Sequence, residues 1–310
     1  MKKVAILLLG TAVLTGCGSD DSGDSNDHRA SSSYIGAIEV VSPNFDSIEV
    51  NSMTLDLSHA KVELNGSTFE ESLLSAGMFV DVEYDNGVAY EVDIEPTMIG
   101  EVTEVTQSTI TVNGQILPTK TSFVDKDLLN KNAMLFGYVD KDNKWVIIAG
   151  YDLGSSYRFD LHQGKISSEP TNTSFNIDSL VVDYSNNSID SEDRRDLTLG
   201  AWVEVEGTYD NASKEFIADD VDVEDDLDLS NVEIEGYITT INADKTSMTL
   251  NGRTEVTITE NTRFFKEDLH GDDVASDKSI LEPGAKIDVD LINKNGILEA
   301  TEIELDNDND

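Results

Sequence analysis

Few residues in this chain have types and spacings that could do chemistry. Cys17 stands out, as the single thiol in 310 residues. It closes Leu14-Thr15-Gly16-Cys17, at the end of an apolar run from Val4 to Leu14 that follows the basic pair Lys2 and Lys3. A positive segment, a short apolar segment and small residues before a cut site make an export signal. A helix across a bilayer needs about 20 apolar residues, so residues 1–16 read as a signal peptide and not as a span. His28, His59, His162 and His270 lack ligand spacing, which argues against a histidine metal site. There is no G-x-S-x-G, no P-loop and no H-E-x-x-H. Acidic pairs are so frequent that no two single themselves out as a hydrolytic dyad. The expectation is a non-enzyme with no catalytic residue and no cofactor.

Leu14 to Cys17 resembles the lipobox of bacterial lipoproteins. The resemblance implies that Cys17 becomes the mature N-terminus and carries lipid, including palmitate, on its sulfur. That would spend the one thiol and leave none for a disulfide or a nucleophile. Gly18 in place of Asp, by the same resemblance, implies the outer membrane of a Gram-negative bacterium. Residues 17–33 are mostly Ser, Asp, Gly and Asn, too polar to offset the entropy of ordering, and read as a lipidated, disordered tether.

The rest of the chain repeats one small unit. Four segments open alike, around Gly36, Gly100, Gly164 and Gly236. Each is followed by a strand-like run ending at Asn51, Asn113, Asp178 or Asn251. Each unit then has a leucine-rich approach to a turn residue, read as Gly77, Asn132, Gly200 and Gly284. The following strand alternates apolar and acidic residues, as in Val80-Asp81-Val82-Glu83, Val203-Glu204-Val205-Glu206 and Ile287-Asp288-Val289-Asp290. Period two is the mark of a half-buried strand. Asn86-Gly87 and Asn295-Gly296 then signal hairpins. Three strands, a helical turn and two strands predict an all-β chain of four tandem small barrels, OB-like or alternatively SH3-like. The expected divisions are 34–96, 97–154, 155–228 and 229–306, with an acidic tail at 307–310.

The opening glycine, the turn glycine and the alternating hairpin resemble a bacterial domain family of unknown function, number 5666. The resemblance covers about 34 to 306 and implies export, frequent lipidation and tandem copies. Asn132 and Gln163 depart from the family pattern. The family brings no catalytic residues to carry over.

Charge and outward-facing side chains bear on partners. The chain has 21 basic and 62 acidic residues, a net charge of −41. Removing the signal takes two lysines and no acids, leaving −41−2 = −43. Such a surface repels nucleic acid, whose binding needs Lys and Arg against phosphate. It leaves room for weak Ca²⁺ binding at Asp219 to Asp226 or at the tail Asp306 to Asp310, neither of which fits an EF-hand. Counting from each turn residue, Phe79, Met134, Phe136 and Trp202 should point out of their own barrels, where copy four has Lys286. Those four side chains would form a ligand face or pack one barrel against the next. The expectation is a monomeric, membrane-anchored binding module with an unknown protein or glycan partner. A Ca²⁺- or salt-responsive structural protein is the alternative, and a hydrolase of envelope or extracellular polymer the third reading.

Overall fold

A computed structural model describes residues 32–120, 126–154, 157, 159–185, 189, 193–224, 229, 231–267 and 273–306. Cys17, the signal segment, the tether through residue 31, His28, His270, residues 225–228 and the tail 307–310 lie outside the described residues.

The first unit shows how each barrel closes. Its opening strand Ser32–Ala37 continues as Val40–Val41, which pairs antiparallel with Ser47–Val50. That strand pairs with Met53–Asp56, and the chain runs on as Lys61–Leu64. Lys61–Leu64 lies parallel to the final strand Val88–Ile94. The final strand is antiparallel to Phe79–Asp85, which returns to Ser32–Ala37. The sheet thus closes in the order first, second, third, fifth, fourth. The parallel pairing of third with fifth is one that a simple meander cannot make. The fourth unit repeats this order through Val232–Ile241, Ser247–Leu250, Thr254–Glu267, Lys286–Asn293 and Leu298–Leu305.

The middle units close more lightly. The second is built from Met98–Val105, Thr109–Val112, Gln115–Pro118, Asn132–Val139 and Trp145–Asp152, and Thr119 bridges Ile147 in parallel. The third has Asp160–Lys165, Ser174–Ile177, Leu180–Asp183, Trp202–Asp210 and Glu215–Glu224, with Ile166 bridging Ile177. A short helical turn precedes the fourth strand of every unit: Glu71–Leu73, Lys126–Leu128, Asp193–Asp196 and Lys278–Ile280. At or beside each turn a leucine is buried in its barrel core, namely Leu74, Leu128, Leu197 and Leu281. The neighbouring Leu73, Leu129 and Leu199 stay exposed.

Two repeated residue types explain each other. Asn51, Asn113, Asp178 and Asn251 all have positive φ, between 43° and 50°. They turn the chain between the second and third strands, where Asn and Asp tolerate the left-handed conformation best. In the second and fourth units the polar side chain then folds back over the opening glycine. Asn113 Nδ2 donates to Ile99 O at 2.9 Å, and Asn251 Oδ1 accepts from Tyr237 N at 2.9 Å. A Cβ on Gly100 would lie 2.2 Å from Asn113 Oδ1, and one on Gly236 would lie 2.7 Å from Asn251 Nδ2. The glycine is needed because the turn amide occupies its side-chain space.

Two boundary expectations need correction. The first strand begins at Ser32, inside the stretch read as tether, because Ser33 pairs both with Glu83 and with Val232 of the fourth unit. The turn residue of the second unit is Asn130 (φ 61°), not Asn132, which already lies in the strand Asn132–Val139. Asn130 N donates to Val102 O, as Gly77 N does to Ile38 O and Gly284 N to Ile238 O. The offset is two residues, so it leaves unchanged which side chains face out.

Substituting Gly100→Ala forces a methyl group into the Asn113 amide. We expect a loss of about 1–3 kcal/mol, the usual range for overpacking, measured by denaturant unfolding. Adding Asn113→Gly should return part of that loss, since it vacates the same space and keeps the positive φ.

Candidate functional site

The four barrels meet through their opening strands. Ser33, Tyr34 and Ile35 of the first unit pair in parallel with Val232, Glu233 and Ile234 of the fourth. Leu161 and His162 of the third pair antiparallel with Ile99 and Met98 of the second. Each opening strand also pairs with the fourth strand of its own unit. Second and fourth units touch where Tyr138 stacks on Tyr237 at 3.6 Å and Thr239 Oγ1 donates to Val139 O at 2.8 Å.

The outward-facing apolar side chains are buried where units meet. Phe79 is 9 % exposed, Met134 1 %, Phe136 0 % and Trp202 7 %. Met134 and Phe136 leave the second unit to join the core of the first. Trp202 of the third unit joins the core of the second and meets Trp145 edge to face at 5.7 Å. Phe79 and Trp202 also line a cavity of about 200 Å³ between the four units.

Two sets of side chains line that cavity, one aromatic and one acidic. Phe79, Trp145 and Trp202 form the first; Asp81, Glu95 and Glu224 form the second, with Arg253 as the cation. Arg253 pairs with Glu224 at 3.2 Å. Asp81 Oδ1 and Trp202 Nε1 are buried and have no hydrogen-bond partner among the described residues. Burial, then the nearby Asp93 and Glu83 carboxylates, push Asp81 up to about 7. Burial also holds Glu95 well above the usual carboxylate range, helped by Glu204 and Glu224 and opposed by Arg253. Glu95 and Glu224 further line a second hollow, of about 230 Å³, with Asp93, Glu204 and Asp222.

Other acids are buried along the seam between the first and fourth units. Tyr34 O–H donates to Glu235 Oε2 at 3.2 Å, and Lys286 Nζ lies 3.3 Å from Glu235 and 2.6 Å from Asp306. Burial first, and then Glu235 and Glu233, push Asp288 up to about 9. Glu233, half-buried and beside Asp290, is pushed to about 7. His162 is buried in the seam between the second and third units, and burial pulls it down to about 4.

The cation candidates named from sequence fare differently. Asp219 to Glu224 belong to the strand Glu215–Glu224, not to a loop that could wrap an ion. Asp306 faces Lys286. Glu63, Glu91 and Asp93 form the one group of three carboxylates close enough to share an ion among the described residues. Sequence reasoning missed this group because its members come from two strands brought together by the parallel closure. Lys61 Nζ already sits 2.5 Å from Glu63 and 3.8 Å from Glu91. No helix among the described residues is long and apolar enough to cross a membrane.

The buried acids set a pH dependence. Asp81, Asp93 (pushed to about 6 by burial and Glu91), Glu233 and Asp288 each take up a proton more readily folded than unfolded. Stability therefore rises as pH falls through their folded values. His162 acts in the opposite sense, but only below its ordinary 6.5. At fixed ionic strength, calorimetry should find a higher melting temperature at pH 6.5 than at pH 9. A flat or reversed trend over that window would contradict the buried-acid assignment.

No curated protein matches this chain in sequence. A family described as "Domain of unknown function (DUF5666)" matches residues 163–222 and 235–304. These segments start next to Gly164 and Gly236 and run into the final strands of the third and fourth units. The chain therefore carries DUF5666-like repeats in its third and fourth barrel units.

Proposed function

We propose that this is a non-enzymatic, lipid-anchored cell-envelope protein that binds a small molecule at the junction of its four units. The carrying observation is the cavity: four barrels contribute to it, and two of its lining residues, Trp202 and Asp81, each carry a buried polar atom without a hydrogen-bond partner among the described residues. Buried polar atoms normally find partners, so such a pair marks a place where a ligand can add hydrogen bonds. Asp81 and Glu95 are both shifted upward. A hydrolytic pair instead needs one acid and one base with pKa values pushed apart, which favours binding over hydrolysis. The Ca²⁺-responsive reading has Glu63, Glu91 and Asp93 in its favour, but Lys61 already supplies their counter-charge.

The anchor rests on Cys17 and the apolar segment before it. Fatty-acid labelling in cells should mark the wild type and vanish in Cys17→Ser; persistent label would remove the anchor from this reading. For binding, purified protein incubated with envelope extract and then denatured should release a compound enriched over a control protein. That compound, added back, should alter tryptophan fluorescence, because the chain has two tryptophans and both line the cavity. If no enriched compound does so, the small-molecule reading fails.

A further inference from the structure

The fourth barrel is joined to the others differently from the rest. The first three share cores. Ile99, Met134 and Phe136 of the second unit and Leu161 of the third enter the core of the first, and Trp202 of the third enters that of the second. The core of the fourth is built from its own residues; among the described residues, Ile35 alone packs against it from another unit. The fourth unit also meets the second at the Tyr138–Tyr237 stack and the Thr239–Val139 bond. It meets the third at the Arg253–Glu224 pair, which is partly exposed and so adds little.

The seam between the fourth unit and the first is loaded with like charge. Glu233 lies directly opposite Asp290, and Asp290 opposite Glu302; Glu235 lies opposite Asp288, and Asp288 opposite Glu304. Two rows of carboxyl groups thus cross Val232–Ile241, Lys286–Asn293 and Leu298–Leu305, and like charges placed directly opposite repel. The first unit covers part of both rows. Tyr34 O–H donates to Glu235 Oε2 at 3.2 Å, Asn51 Nδ2 donates to Glu233, and Tyr84 lies within electrostatic reach of Glu233 and Asp290. Lys286, between Glu235 and Asp306, and Arg263, paired with Glu302, are cations beside the rows. Covering the rows costs most when they are charged, because ionised carboxyl groups lose water and face one another. Burial, then the facing carboxylates, accordingly push Glu233 to about 7 and Asp288 to about 9. Parted from Tyr34, Asn51 and Tyr84, these groups regain water and fall back toward the ordinary carboxylate range. Docking therefore takes up protons, so it is strongest at low pH and is lost as pH rises through the two docked values.

We propose that the fourth barrel is a detachable module: ionisation of the Glu233–Asp290–Glu302 and Glu235–Asp288–Glu304 rows releases it from the first unit, and it swings about the Tyr138–Tyr237 contact with all four barrels still folded. The movement bares the edge of Ser33 to Ile35 that Val232 to Ile234 had covered. It also withdraws Ile234, Asn251, Arg253 and Thr254 from the lining of the junction cavity, which lets water reach Trp145 and Trp202.

Titrating the full-length protein from about pH 6 to about pH 9.5 at fixed ionic strength tests it. With a midpoint between about 7 and about 9, the radius of gyration from X-ray scattering should rise and tryptophan emission should move to the red. Far-UV circular dichroism should stay constant, and return to the starting pH should reverse both changes. The double variant Glu233→Gln with Asp288→Asn cannot ionise at these positions and should raise the midpoint by at least about one pH unit. Glu255→Gln with Glu260→Gln removes the same charge from exposed positions of the fourth unit and should leave the midpoint within about 0.3 of the wild-type value. The proposal is overturned if radius and emission stay flat across the range, or if the circular dichroism is lost in the same step, since the barrels would then be melting and not parting. It is also overturned if the seam variant leaves the midpoint in place, or if the surface variant moves it as far.

Discussion

The structure depends on one arrangement of backbone: each opening strand is hydrogen-bonded along both edges, to its own barrel and to the opening strand of another unit. The glycine in every opening strand is closely covered: by the Asn113 and Asn251 amides in the second and fourth units, by Tyr34 and Glu235 in the first and by Ile177 in the third. From this pairing follow the seams between units, the burial of outward aromatics, and the enclosed space at the centre.

The same arrangement inverts the meaning of the acidic alternation. In an isolated barrel, Asp81, Glu233, Glu235 and Asp288 would occupy the watered face of a half-buried strand. Docking the units puts them inside, where each charge loses hydration and meets other carboxylates. Tyr34, Lys286 and Asn51 offset part of that cost at the first–fourth seam. At the central cavity Arg253 is the offsetting group. The molecule keeps acids in positions where apolar residues would give greater stability.

Much of the single-unit fold was legible in the sequence. Period-two alternation in Val80 to Glu83 and its copies, the Asn-Gly hairpins, and the leucine-rich approach to Gly77, Gly200 and Gly284 all report local geometry, and local geometry sets the strand order. Register of the aromatics was legible too, because parity survives the two-residue error at Asn132. The meeting of the units was not. Which opening strand pairs with which depends on edge complementarity between segments as distant as Ser33 and Val232, and no local pattern encodes it. For that reason the acids read as a solvated surface, and neither Asp81 nor Arg253 drew notice. The Glu63, Glu91 and Asp93 group escaped for a similar reason: parallel neighbours leave no periodic trace in sequence.

The pairing of Ser32–Ala37 with Val232–Ile241 carries a further consequence, for how the molecule is made. The opening strand of the first unit completes its hydrogen bonds only when the fourth unit is in place. Until then its outer edge is a bare row of amides and carbonyls, the kind of edge that recruits other chains. A contact of such long sequence separation also forms slowly. Docking of the fourth unit is therefore itself a folding step. The central enclosure cannot exist in any fragment lacking the fourth unit, and the intact molecule conceals an edge that a shortened one would present to its neighbours.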